Sequence, residues 1–315
     1  MLKYILKRII MIIGVLWCVA TLTYFTVHVT PGDTATAVIY ELYGEDAVNT
    51  ENLEAVREKY DLNRSIFMQY MDWMTDAFTG NFGTSYRYDK PVSYMIGLRL
   101  PNTLKLGFTA FFISLIVSLP LGIISALKHN KIIDHISRIF VLFTSSFPSF
   151  WVAIVLIIVC ALNLKLFPVS GMDAPNSIVL PALTLSFSMM ATVTRMTRAS
   201  VLDVMEQDYI WVARAKGLGR NKIIFRHILR NALPPVITVL GLQIGHLLGG
   251  AVIIENIFSW PGIGGLFIDA VNAKDTPMIE GCVIVMAFGY GAINIIVDII
   301  YAIINPEVRY SGEKI

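Results

Sequence analysis

Charge is what this chain has least of. Only 15% of its 315 residues are Asp, Glu, Lys or Arg, where soluble domains carry about 25%. So few charges cannot cover a water-facing surface. With 55% hydrophobic residues and a mean hydropathy of +0.64, the chain reads as a polytopic membrane protein. Cysteine is also scarce. Cys18, Cys160 and Cys282 all lie inside apolar runs, without metal-ligand spacing or a disulfide framework, and read as small buried hydrophobes. Signatures of chemistry are missing as well. No Gly-x-x-x-x-Gly-Lys-Ser/Thr phosphate loop occurs, and Gly217-Leu-Gly-Arg-Asn-Lys222 lacks that spacing. There is no Gly-x-Ser-x-Gly elbow and no His-Glu-x-x-His, which argues against a membrane enzyme. A self-sufficient secondary transporter would need coupling-ion residues in its spans. The apolar runs hold almost no carboxylates beyond Glu255 and Asp298, and no inverted repeat is visible.

What the chain does have is length of apolar run. A bilayer core of ~30 Å takes roughly 20 helical residues to cross. Six segments qualify, at about 9–30, 101–127, 136–162, 178–198, 233–257 and 280–304. The fourth is diluted by Ser186, Ser188, Thr192 and Thr194. The first is too long for a signal peptide and has no small-residue cleavage site, so it reads as a retained span. Placing the N-terminus inside puts sixteen Lys and Arg on the cytoplasmic pieces and eight outside, as the positive-inside tendency requires. Both termini are then expected in the cytoplasm of a cell-membrane protein. Residues 1–30 form the first span and 31–100 an extracytoplasmic subdomain. Residues 101–315 form a five-helix core that includes a cytoplasmic loop at 199–232. The outer subdomain carries eleven acids against six bases. Helical spacing runs over 51–79, and Asn81-Phe-Gly-Thr-Ser-Tyr86 reads as a turn followed by a short extended piece. Pro120, Pro148, Pro181, Pro234-Pro235 and Gly245 through Gly250 sit in or beside spans, where packed neighbours can satisfy a broken backbone.

The polar segment 203–232 is exceptional, because it interrupts two membrane-length runs. Asp203, Glu206 and Asp208 come first, and Arg214, Lys216 and Arg220 last, an order that suits the helix dipole. Gly217 and Gly219 are placed to end the helix. Ala213 and Ala215 offer a smooth face for a groove. In the apolar runs, His246 is either pore-facing or a neutral ring bonded to a neighbouring helix. Glu255 either lines an outer gate or reaches interfacial water. Met189, Met190 and Met196 read as packing.

Asp208-Tyr-x-x-x-Ala-Arg-Ala-Lys-Gly217 and His227-x-Leu-Arg-Asn-Ala-Leu-Pro234 resemble the "EAA" coupling loop of ABC-importer permeases, in the form of the dipeptide/oligopeptide/nickel family. The resemblance runs the length of the chain. It includes the first run closing on Thr30-Pro-Gly-Asp33, Asn81-Phe-Gly-Thr-Ser, Pro91-Val92 and Leu100-Pro-Asn-Thr-Leu104. It continues through Val252-Ile-Ile-Glu255, Pro261-Gly-Ile-Gly264, Asp275-Thr-Pro277 and the tail from Asp298 to Tyr310. Two departures stand out. Trp211 and Val212 occupy the glutamate position of the loop and the one after it. Asn305 and Glu307 replace the more usual Asp and Arg of the tail.

The resemblance implies an all-α, six-span, type I ABC-importer permease fold. It implies a non-catalytic transport subunit for di- or oligopeptides, with nickel or a metal–metallophore complex as the alternative. The implied partners are a second homologous permease, two cytoplasmic ABC ATPases, an extracytoplasmic substrate-binding protein and membrane lipid, with no nucleic acid and no cofactor in this chain. Asp208, Tyr209, Ala213, Arg214, Ala215, Lys216 and Gly217 would form the coupling site. His246 and Glu255 would belong to the path.

Overall fold

The computed structural model describes residues 2–29 and 33–304. The Thr30-Pro-Gly segment and the tail motif beyond Ile304 lie outside them. Among the described residues thirteen α-helices follow one another: α1 (Leu2–Val29), α2 (Thr34–Tyr43), α3 (Thr50–Lys59), α4 (Ile66–Phe78), α5 (Val92–Leu127), α6 (Ile132–Ser146), α7 (Ser149–Leu156), α8 (Val179–Met205), α9 (Asp208–Ala215), α10 (Arg220–Lys222), α11 (Leu229–Ile257), α12 (Ile263–Asn272) and α13 (Thr276–Ile304). Wider π turns extend α7 through Asn163 and join α10 to α11. Among the described residues the one strand-like pairing is a bridge between Thr84 and Pro91, at the extended piece expected after Asn81. The helical spacing over 51–79 resolves into α3 and α4, capped by the side chains of Asn49 and Ser65.

Among the described residues, five helices are long and apolar enough to cross a membrane, and the bent pair α6–α7 passes the same test only when its two halves are taken together. The sequence suggests one span over 136–162. The structure instead turns by 104° between α6 and α7. Pro148 is the cause. The residue before a proline is pushed out of the helical region, and Phe147 is extended at φ −100° and ψ 133°. α7 then starts directly after Pro148, where the missing N–H costs nothing.

The chain divides into two compact units. The first comprises residues up to Leu6, Lys105–Phe258 and the chain from Ala292; the second comprises Lys7–Leu104 and Ser259–Gly291. In the first, α8 packs against α6, α7 and α11. This is the span that its serines and threonines made least certain. Of those residues, Ser186 and Thr194 are buried and Thr192 is half-buried, while Ser188 is exposed; 61% of the span's apolar window is buried, against 11% for α1. Thr184 and Ser186 are buried, and their hydroxyls donate to the carbonyls of Leu180 and Leu183 at 2.8 Å. Met189 and Met190 are buried as packing residues. In a bilayer, helices associate by close packing rather than by hydrophobic burial. Gly122 shows this. A Cβ there would stand 2.7 Å from Thr197 Cβ and 2.8 Å from the Thr194 carbonyl oxygen, so α5 and α8 meet nearly backbone to backbone.

The second unit builds its core from Val92, Met95 and Ile96 of α5, Ile263 and Leu266 of α12, and Met278 and Cys282 of α13. A smaller cluster of Ala35, Val38, Ile39, Val56 and Tyr86 holds α2 and α3 together.

Replacing Gly122 by leucine should overpack the α5–α8 contact at a cost of about 1–3 kcal/mol. A lowered melting temperature of the purified protein in detergent is expected; an unchanged one would refute the close contact.

Candidate functional site

The polar segment singled out in the sequence is a short helix on a fixed seat. Ile210 and Ala213 of α9 are buried, one turn apart, against Ala126, Val201, Ile223, Ile228 and Ala232. This inward stripe leaves Asp208, Tyr209, Trp211, Val212, Arg214, Ala215 and Lys216 exposed. One expectation changes here. Ala213 and Ala215 do not form one outward alanine face: Ala213 turns into the chain's own core and Ala215 turns outward. The free surface is instead aromatic and basic. Trp211 is 61% exposed, and the Arg214 guanidinium lies over its ring at 5.3 Å. The Tyr209 hydroxyl accepts from Asn231 Nδ2 at 3.1 Å.

The helix stops where glycine permits. Gly217 takes φ +73°, and its N–H donates to the Arg214 carbonyl at 2.9 Å. Nothing lies within 4 Å of where its Cβ would be, so its value is conformational rather than spatial. Gly219 caps the next helix.

The base of this segment is pinned by a carboxylate that sequence reading missed. Asp134, at the start of α6, is fully buried. Its two oxygens accept from Arg198 Nε at 2.7 Å and Arg198 Nη2 at 2.9 Å. They also accept from Arg138 Nη2 at 2.6 Å, the Ser125 hydroxyl at 2.6 Å and the Asn130 N–H at 2.9 Å. Asn130 sits in the left-handed region at φ +58°, which asparagine tolerates, and so points its N–H back at the carboxylate. The ends of α5 and α6 are thereby tied to α8, the stem that leads into α9. The Ser200 hydroxyl adds a bond to the Ala232 carbonyl of α11 at 2.7 Å. In the sequence Arg198 counts only among the positive-inside charges, and its pairing with Asp134, far away in the chain, leaves no local signal.

In the second unit, the scattered motifs come together in two pairs. Asp275 accepts from the Ser85 hydroxyl and from the backbone N–H groups of Tyr86 at 3.1 Å, Arg87 at 3.3 Å and Met278 at 3.4 Å. Asn102 donates to the Pro261 carbonyl at 2.8 Å, Trp260 donates to the Asn102 carbonyl at 3.0 Å, and Ile263 donates to Thr103 Oγ1 at 2.9 Å. Hydrogen bonds thus join the segment 81–86 to 275–277, and the segment 100–104 to 261–264.

The path residues fare differently. His246 lies on α11, and its side chain is outside the described residues. Glu255 is fully buried, so in this chain it does not reach water. A span carboxylate absent from the sequence account is Glu280. It is 2% exposed and lies 3.7 Å from His28 Nδ1. Among the described residues, no three of His, Cys, Asp and Glu come together as metal ligands would.

The architecture is that of a multi-pass all-α permease. Solved structures with this fold include the inward-facing MetNI methionine ABC transporter, with TM-score 0.57 and 15% identity over 67% of this chain and 97% of that one. An amino acid ABC transporter solved with histidines matches at TM-score 0.51 and 18% identity, over 67% and 92%. At such identities these establish the fold. The model of the binding-protein-dependent transport system inner membrane component matches residues 118–310, and the N-terminal model of the same membrane components matches residues 1–107. The chain belongs to this family and is an ABC-importer permease, a transport component without catalysis of its own. The oligopeptide transport system permease protein AppB of Bacillus subtilis (strain 168) is 38% identical, over 98% of this chain and all of AppB. The glutathione transport system permease protein GsiC of Escherichia coli (strain K12) is 36% identical, over 98% of this chain and all of GsiC.

Removing the charge of Asp134 leaves Arg198, 22% exposed, without its counter-ion, whereas Arg138 is 44% exposed and reaches water. Asp134→Asn should therefore cost about 3–5 kcal/mol, as breaking a buried pair does, and Arg138→Gln under about 1 kcal/mol. Melting temperatures of the two variants should separate in that order, and equal shifts would refute the pinning role.

Proposed function

We propose that this permease imports di- or oligopeptides and that the exposed face of α9 takes the thrust of a cytoplasmic ATPase. The observation that carries the peptide reading is full-length similarity to an oligopeptide permease at 38% identity. The similarity to a glutathione permease, also a peptide carrier by its name, supports the same class. The coupling reading rests on α9 itself. It is a helix whose inner stripe is buried and whose outer surface, led by Trp211, Arg214, Ala215 and Lys216, is free for a partner.

The working cycle follows from these parts. A second permease completes the path, and each permease seats one ATPase on its coupling helix. ATP binding draws the ATPases together and displaces the two helices. The clamp at Asp134 and the bond from Ser200 to Ala232 pass that displacement to α6, α8 and α11, since a rigidly held helix cannot yield locally. The spans then exchange between inward-facing and outward-facing states, with ATP binding favouring one of them. A binding protein supplies peptide on the far side. With α9 on the ATPase side, both termini lie in the cytoplasm and α2 and α3 lie outside. His246 and Glu255 remain candidates for the path, and no cofactor is required in this chain.

Uptake of a labelled tripeptide by cells carrying the complete transporter tests this reading. Ala215→Asp and Trp211→Ala alter only the exposed face, so the chain should stay in the membrane while uptake falls at least tenfold and ATP hydrolysis no longer responds to peptide. Ala213→Asp would place a carboxylate in the core and should instead deplete the chain. Unchanged uptake in the first two variants would overturn the coupling assignment. Transport of nickel without competition by peptide would overturn the substrate.

A further inference from the structure

α4 presents three faces rather than two. Its 13 residues divide the helix circumference into roughly equal thirds at 100° per residue. One face packs on α1. Tyr70 is buried, with its ring 5.3 Å from both Tyr24 and Phe25, and Trp73 lies 5.2 Å from Tyr24. A second face is exposed and carries Asp72, Thr75 and Asp76, with Met68 at its edge. Asp72 is paired with Arg64 at 2.6 Å. The third face is apolar and also exposed: Phe67, Met71 and Phe78 are 65%, 48% and 75% exposed. A helix that met only its own protein and water would have no use for that stripe.

The direction of α4 gives the reason. It runs antiparallel to α1. The Tyr24 hydroxyl reaches the Ile66 carbonyl at 3.5 Å, and Thr21 meets the Tyr70 hydroxyl at 2.8 Å. Further down, Ile13 and Trp17 line a cavity together with Met74 and Phe78. From Tyr24 to Ile13 is roughly 16 Å of helix. All of it lies inside the candidate span Leu6–Val29. α4 therefore follows a membrane-crossing helix through about half its length and does not simply rest on its end. The cavity, of about 360 Å³, is closed on its other side by α13, through Ile284 and Phe288. Trp17 and Phe288 at its mouth are themselves exposed, at 54% and 60%. The apolar windows of α1 and α13 are only 11% and 6% buried. The groove is thus bordered by the exposed sides of two helices apolar enough to cross a membrane.

We propose that the Phe67–Met71–Phe78 face of α4 and the groove beside it are a lipid-binding surface, in which phospholipid acyl chains lie between α1, α4 and α13. The opposite, acidic face then borders water. No charged side chain lines the groove, so the tail rather than the headgroup is recognised. The polar face explains why α4 is not a seventh span: Asp72 and Asp76 cannot turn to lipid, and backbone at this depth is tolerated where one side meets water.

Single cysteines test the assignment in the full chain within its assembled transporter. The background carries Cys18→Ser, Cys160→Ser and Cys282→Ser. Met71→Cys, Phe78→Cys, Asp72→Cys and Asp76→Cys are each labelled with bimane and reconstituted with phosphatidylcholine brominated on its acyl chains. Quenching at 71 and 78 should exceed that at 72 and 76 at least twofold, with aqueous iodide giving the reverse order. Equal quenching at all four sites would overturn the proposal. Protection of 71 and 78 from both quenchers would also overturn it, and would assign the face to a protein. A benzophenone amino acid in place of Phe67 gives an independent reading in native membranes. A phospholipid adduct by mass spectrometry is expected, and a crosslink to another protein chain would refute it.

Discussion

A buried charge in a membrane protein must be neutralised within the structure, and Asp134 is where this chain meets that demand. Five donors converge on it from the end of α5, the turn at Asn130, α6 and α8. They contribute in different ways. The two guanidinium groups balance charge, and Ser125 and the Asn130 N–H fill the remaining lone pairs. Such a site has one low-energy arrangement, so it fixes the register of the elements it joins. Everything downstream of α8 inherits that register. α9 leaves α8 within one turn, seats Ile210 and Ala213, and returns at Gly219 into the helical run that becomes α11. A helix that is to transmit force needs a stiff mounting, and this network supplies it without thickening the hydrophobic core.

Much of this was legible in advance, because membrane spans and helix ends are local problems. Apolar runs marked the crossing helices, and Gly217 and Gly219 marked the end of α9. Asn81 to Tyr86 announced its turn and extended piece. What escaped was decided by contacts far apart in sequence. Asp134 and Arg198 are separated by α6 and α7. The alanine pair suggested a smooth outer face by composition, but the direction of Ala213 is set by the helix it lands on. Glu280 lies at the edge of an apolar run, where a charge ordinarily marks the end of a span; the structure instead buries it beside His28. The break at Pro148 was visible as a residue and not as a 104° turn, since proline permits kinks of many sizes and neighbouring helices choose among them.

Ser and Thr teach the same lesson from the opposite side. They lowered the apparent quality of α8 as a span, yet α8 is the most enclosed of the crossing helices. Hydropathy measures preference for lipid. A helix surrounded by protein is released from that preference and can use small hydroxyl-bearing residues to come close to its neighbours. The weakest apolar signal among the candidate spans therefore belongs to the most enclosed helix, whereas α1 and α13, both strongly apolar, are the least buried within this chain.

The second unit solves a comparable problem with different donors. Asp275 gathers a hydroxyl and three backbone N–H groups at the start of α13. It works as a helix cap and a loop anchor together: Met278 is an orphan donor of the first turn of α13, and Tyr86 and Arg87 belong to the loop it retains. Asp134 joins helices through side-chain cations, whereas Asp275 captures backbone. Short of proline, substitution leaves a backbone donor in place, so the tie between this loop and the start of α13 depends chiefly on the acceptor. Sequence motifs at 81–86 and 275–277 are therefore two halves of one device. Neither half has a physical meaning until the fold brings them together.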